Sequence, residues 1–433
     1  MEKYLSDMIK DLQVLIAINS VLGEPAPNAP FGKGVRDALD FALKLTKDMG
    51  FITKDIDGYI GYAEVGSGEL FGVLTHLDTV PFGENWTFPP TSGSIVGGKL
   101  YGRGTEDDKG PFIASLYALK SLLDEGLTPQ KRIRLIFGCN EETGWKCMDR
   151  YLETEEIPVM AFSPDGNFPV INCEKGLAHY ELSFEKPDCL VTLKAGDRAN
   201  VVPDYAEATL NAITDVAIMY AMHHNITIKK DGDKYKISAK GKSVHGSTPQ
   251  KGENALVKVL QFMLSLDAKL AHLGAGLSDY NGKRCNLGLS DEVSGLLTIN
   301  AGYAKTDNNY VKIGLDIRYP VSFSQDEITK RLTEYFDFAK VSLVHSHNSL
   351  YIPADNPLVK ILLSAYNEIT GENAQPITIG GATYARALPQ AVAFGSTFPD
   401  EEGLAHQIDE CITIENFVKM AKIYRLALKK LCF

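Results

Sequence analysis

The chain lacks long apolar runs: stretches such as Ala391 to Phe394 and Leu135 to Phe137 are strand-length and interrupted, so none is expected to span a bilayer. The N-terminal segment MEKYLSDMIKDLQVLIAINS lacks a secretory apolar core as well; charged and apolar residues alternate there at helical spacing and predict an amphipathic helix. Cysteine is sparse and unpatterned. Cys139, Cys147, Cys173, Cys189, Cys285, Cys411 and Cys432 show no C-x-x-C spacing, and an odd count fits free thiols in a reducing cytoplasm better than a disulfide framework. Positive charge is not in excess: 44 Lys and Arg face 55 Asp and Glu, a net charge of −11 without a basic stripe, which argues against a nucleic-acid partner. Low-complexity tracts and like-charge runs are missing too. What remains is a globular composition, 44% hydrophobic and 23% charged over 433 residues, long enough for two packed domains.

Short apolar runs alternate with helical patterns in the first part: LFGVLTHLDTV, FIASLYALKSLLDEGL, RIRLIFGCNEE and PVMAFSPDG. That order predicts an α/β domain whose mostly parallel central sheet is flanked by helices, with ligands gathered at the carboxyl ends of its strands. From about Ala178 longer alternating strands, HYELSFEK, YKISAKGKSVHG and YVKIGLDIRYP, are interleaved with helices, an α+β rhythm. After Pro353 the α/β pattern returns. The simplest organisation is an insertion: residues 1–177 and 353–433 form one domain and 178–352 another, because insertion at a surface loop costs little.

Several polar groups fall where the strands end. His76 and Asp78 in THLDTVP point to one face of a strand end; a metal-bound imidazole needs an acceptor on its second nitrogen, and a carboxylate two residues on supplies one. In LYGRGTEDDKG, Asp107 and Asp108 precede a helix-like segment, where one carboxylate could bridge two cations or merely cap the helix. A phosphate-loop reading fails because neither G-x-x-x-x-G-K-[ST] nor G-x-G-x-x-G is met. Glu141 and Glu142 repel each other unless a cation compensates, in which case one ligates while its neighbour carries a proton; an exposed surface pair is the plainer alternative. Asp165 in FSPDG and His406 in GLAHQIDE are weak signals singly. Together these His, Asp and Glu side chains, without cysteine, suit Zn, Mn or Co and a two-metal site.

In order along the chain, THLDTVP, LYGRGTEDDKGP, NEETG, SPDG, GDRANVVPD, KSVHGSTP with KGENA, DIRYP, GGATYAR and GLAHQIDE resemble the blocks of the co-catalytic metallopeptidases of the aminoacylase and carboxypeptidase-G type, within them the dipeptidase V, carnosinase-like branch. The resemblance covers nearly the whole chain. It implies a zinc-exopeptidase-like catalytic domain with an inserted lid, and two divalent ions, Zn2+ or else Mn2+ or Co2+. His76 and Asp165 would hold one ion, Glu142 and His406 the other, and Asp107 would bridge them. Asp78 would orient His76, and Glu141 would be the general base. His245 on the lid would stabilise the oxyanion, Asn200 would hydrogen-bond the substrate, and Arg318 would take its C-terminal carboxylate. The bond between Asp107 and Asp108 would be cis. One departure stands out: the family commonly has Asp before the glutamate pair, and here it is Asn140.

The resemblance implies a monomeric enzyme that cleaves dipeptides, with a short peptide as its partner and neither nucleic acid nor membrane. An N-acyl amino acid deacylase of the same fold and a catalytically inactive binding protein are the rival readings; a base retained beside five intact ligands speaks against the second.

Overall fold

The computed structural model describes every residue except Asn308. The chain divides into two compact units, one made of Met1–Asn172, Ile352–Ile377 and Thr383–Phe433, the other of Cys173–Tyr351 and Thr378–Ala382. The change of rhythm read near Ala178 lies just inside the second unit, because strand Ile171–Glu174 runs almost directly into strand Gly176–Glu185 and the pattern does not break at the boundary.

In the first unit four strands lie parallel. Leu70–His76 sits between Arg132–Gly138 and Met160–Ser163, and Ala391–Ala393 pairs with Met160–Ser163. The hairpin of Ile52–Ile56 and Ile60–Val65 continues the sheet antiparallel beside Arg132–Gly138, so the parallel block carries an antiparallel edge. LFGVLTH is buried along its entire length, the signature of a strand covered on both faces. Helix Lys109–Asp124 is buried from Lys109 to Leu119, and helix Ile414–Cys432 buries Phe417, Met420, Tyr424 and Leu428. The N-terminal helix, Leu5–Ala17, buries Met8, Leu12, Leu15 and Ile16 at the expected amphipathic spacing. Among the described residues no helix is long and apolar enough to cross a membrane.

The second unit is built on an eight-stranded sheet with antiparallel pairing throughout, from Ile226–Asp231 at one edge to Lys340–His347 at the other. Period-two alternation sets its core: Ala178, Tyr180, Leu182 and Phe184 join the hydrophobic cluster, and His179, Glu181 and Ser183 between them face the other way. Its helices begin on side-chain caps, Thr214 for Asp215–His223, Asn254 for Ala255–Phe262, Asp267 for Ala268–Gly276 and Ser324 for Gln325–Tyr335.

On the polar face of that sheet Asp316 is fully buried and accepts two hydrogen bonds from Arg318, Nε at 2.7 Å and Nη2 at 2.9 Å. Burial would push the Asp316 carboxyl up, but the Arg318 guanidinium and His179 hold it at about 2. The contribution of this pair to stability is therefore complete above the unfolded carboxylate value near 4 and is lost as pH falls through about 2. Asp316→Asn leaves Arg318 buried without a counter-charge and should destabilise the second unit by about 3–5 kcal/mol in urea unfolding at neutral pH. A loss below 1 kcal/mol would contradict this account of the pair.

Candidate metal centre

The carboxyl ends of the four parallel strands and the loops beyond them bring one set of side chains together. His76 is the last residue of its strand and is fully buried. Its Nδ1 donates to the main-chain carbonyl of Asp78 at 3.0 Å, which leaves Nε2 as the free ligand nitrogen. Nε2 stands 2.9 Å from Asp107 Oδ1 and 4.0 Å from Asp165 Oδ2. The second oxygen of Asp107 lies 3.0 Å from His406 Nε2, which in turn is 3.1 Å from Glu142 Oε2. Asp107 thus turns one oxygen to each of two imidazoles. Among the described residues, the groups spaced to hold a metal ion are His76, Asp107 and Glu142, and His76, Glu141 and Asp165.

The electrostatics of the cluster call for cations. Burial first, then the neighbouring carboxylates, push Asp165 up to about 7 and raise Glu142. Glu141 and Asp108 stand well above the usual carboxylate range for the same reasons. Asp107 is the exception: burial opposes it, but His406 and His76 hold it well below that range. Burial would lower His406, yet Asp107 and Glu142 lift it to about 11. Buried carboxylates that repel one another and charge whatever imidazole they meet form an oxygen-rich, nitrogen-completed donor set that fits divalent zinc, manganese or cobalt.

Asp78 meets His76 in two ways. Its main-chain carbonyl, not its carboxylate, makes the short contact with His76; the carboxylate Oδ1 lies 3.6 Å from Nδ1. The carboxylate instead accepts the backbone N–H groups of Glu141 at 3.0 Å and Glu142 at 3.1 Å, so one residue holds both the imidazole and the glutamate pair. Asn140 closes the same loop: its carbonyl oxygen accepts Lys146 N–H at 3.0 Å, and its amide donates to Thr143. The second of these bonds uses an N–H donor, which a carboxylate in place of Asn140 would lack.

Residues outside the expected set complete the frame. Glu410 is fully buried and takes the N–H groups of Gly104, Glu106 and Asp107 on one oxygen and Arg103 Nη1 at 2.6 Å on the other. Burial outweighs Arg103 and pushes its carboxyl up to about 7. Lys109, also buried, donates to the carbonyls of Leu15 and Ile18 at the end of the N-terminal helix; burial pushes its ammonium down to about 7. The peptide bond between Asp107 and Asp108 is cis. A cavity of about 180 Å3 opens beside Asp107 and Asp165, lined also by Glu106, Asn167 and Thr397.

Asn200, His245 and Arg318 belong to the second unit. The Asn200 carbonyl accepts Gly246 N–H at 2.7 Å, and a Cβ on Gly246 would come within 2.7 Å of Asp316 Oδ2, so Gly246 lies against both Asn200 and Asp316. His245 is exposed, with Nδ1 2.7 Å from Ser247 Oγ. Arg318 is buried, its fork spent on Asp316 and its Nη1 on the Gly380 carbonyl at 2.7 Å.

A model of peptidase family M20/M25/M40 matches residues 72–430. A Bacillus subtilis (strain 168) protein carrying the name "Putative dipeptidase YtjP" is 36% identical over 452 residues, 98% of this chain and 97% of its own. A Staphylococcus aureus (strain MW2) protein also named as a "Putative dipeptidase" is 36% identical over 464 residues, 100% of this chain and 98% of its own. Among solved structures, human carnosine dipeptidase 1 superposes with a TM-score of 0.61 at 14% identity, covering 98% of this chain and 96% of that one, and so shares the fold. The chain belongs to peptidase family M20/M25/M40 and is a metallopeptidase, a hydrolase of peptide bonds.

Proposed function

We propose that this enzyme is a cytoplasmic, monomeric dipeptidase in which His76 and Asp165 hold one divalent ion, Glu142 and His406 a second, and Asp107 bridges them, with 1–177 and 353–433 as catalytic domain and 178–352 as lid. The observation that carries the reading is Asp107, whose two oxygens address two different imidazoles at 2.9 and 3.0 Å. The names of the curated relatives, which match end to end, support dipeptides as the substrate class.

When bound, the two ions would lower the pKa of a shared water from about 15.7 toward 7 and polarise the scissile carbonyl. Glu141 takes the proton of the attacking water and returns it to the leaving amine. The acidic cavity beside Asp107, lined by Glu106 and Asp165, suits a free α-ammonium group. In the inserted stretch, His245 donates to the developing oxyanion and Asn200 to the substrate. Arg318 reaches the C-terminal carboxylate only through the N–H groups that Asp316 and Gly380 leave open.

Protein stripped of metal and reloaded with Zn2+ or Mn2+ should cleave Ala-Ala, β-Ala-His or Leu-Gly, and Glu141→Ala should slow turnover about a hundredfold to ten-thousandfold. Activity confined to N-acetyl amino acids would move the enzyme to the deacylases; stoichiometric binding without turnover would make it a binding protein. Asp78→Ala keeps the main-chain carbonyl beside His76 but frees the glutamate loop, and competition with a chelator should read an affinity for the ions about 10- to 100-fold weaker. Wild-type affinity in that variant would remove Asp78 from the design.

A further inference from the structure

The loop that carries the glutamate pair ends on a residue the reaction described above does not use. Trp145 closes the turn by donating its main-chain N–H to the Asn140 carbonyl at 2.8 Å, directly before helix Lys146–Thr154. Its backbone is left-handed, φ 63° and ψ 18°, a region that bulky side chains rarely enter. Gly144 immediately before it has φ 141°, so the turn holds a bulky residue in left-handed backbone directly after a glycine.

That conformation throws the indole back across the loop. Nε1 donates to Glu141 Oε1 at 3.1 Å. The ring leans on Tyr384, with centroids 5.6 Å apart and planes at 50°. Tyr384 is itself immobilised: it is fully buried, its hydroxyl lies 2.7 Å from Cys147 Sγ, and its ring meets the His76 ring edge-on with centroids 6.2 Å apart. Gly138 is required for this, since a Cβ there would come within 2.1 Å of the Tyr384 hydroxyl. Trp145 is only half-buried, so it is not a core side chain whose loss would open the interior.

We propose that Trp145 is a positioning residue for the peptidase reaction: its indole N–H holds Oε1 of Glu141, and Tyr384 fixes the ring, so that Oε2 is the oxygen presented to the attacking water. Indole nitrogen is a donor only and can neither ligate a cation nor take a proton, which limits its role to orientation. The Glu141 backbone N–H is anchored on Asp78, so the side chain is held at both ends, as a base that must meet a reacting proton within a few tenths of an ångström requires. The proposal rests on Glu141 as the base.

The test is a double-mutant cycle in the metal-loaded enzyme. Trp145→Phe keeps an aromatic ring against Tyr384 and removes the donor. It should bind the same amount of metal and melt within a few degrees of wild type, keep KM within about twofold, and lose kcat about tenfold to a hundredfold. In a Glu141→Gln background, which is already slow, the same change should cost nothing further. Wild-type kcat in Trp145→Phe, or an equal loss in both backgrounds, overturns the proposal; wild-type turnover in Glu141→Gln itself overturns the base and is thereby told apart. Should Trp145→Phe unfold, Trp86→Phe leaves Trp145 as the one remaining tryptophan. Its emission must then change when Glu141→Ala removes the acceptor, and unchanged emission counts against the proposal.

Discussion

Asp107, Asp108, Glu141, Glu142 and Asp165 crowd around His76 at the end of a parallel sheet, and the first unit is arranged to make that crowding tolerable. Carboxylates brought together out of water repel one another, and two further carboxyl groups hold in place the loops that carry them. Glu410 gathers three N–H groups of the loop that ends in Asp107, and Asp78 gathers the two of the glutamate pair. Both are carboxyl groups buried close to other carboxyl groups. Their value is geometric: each fixes a loop by its main chain, so the side chains of that loop are free to face the interior of the site.

The sequence makes the scaffold and the polar groups at its strand ends readable. LFGVLTH and RIRLIFG announce buried parallel strands by near-continuous apolar runs, and the groups that matter follow within a few residues of their ends. The inserted sheet is readable from its alternation. Less accessible is anything that works through the backbone. Glu410 lies in GLAHQIDE, a block that stands out for its histidine, and nothing in the letters says that this carboxylate reaches the N–H groups of a loop some three hundred positions earlier. Asp78 illustrates the same limit: two-residue spacing identifies a partner for His76, but not that the carbonyl would serve while the carboxylate serves elsewhere.

Arg318 and Trp145 show how context changes the meaning of a residue type. A planar cation in DIRYP suits a carboxylate, and it has one already, two residues away in its own strand. A tryptophan before a helix looks like packing until its backbone angle and its partner are known. Both depend on neighbours distant in sequence, Gly380 in one case and Tyr384 in the other, which local patterns do not join.

The two sides of Asp107 are unequal in their access to water. The His76 imidazole is wholly buried, whereas His406 sits on a loop in left-handed backbone with half of its side chain, 51%, in solvent. His406 rests on one surface loop, whereas His76 is set in a sheet strand and the cavity beside Asp107 and Asp165 is the opening on its side. Movement of that loop would therefore displace the His406 side of Asp107 and leave the His76 side in place.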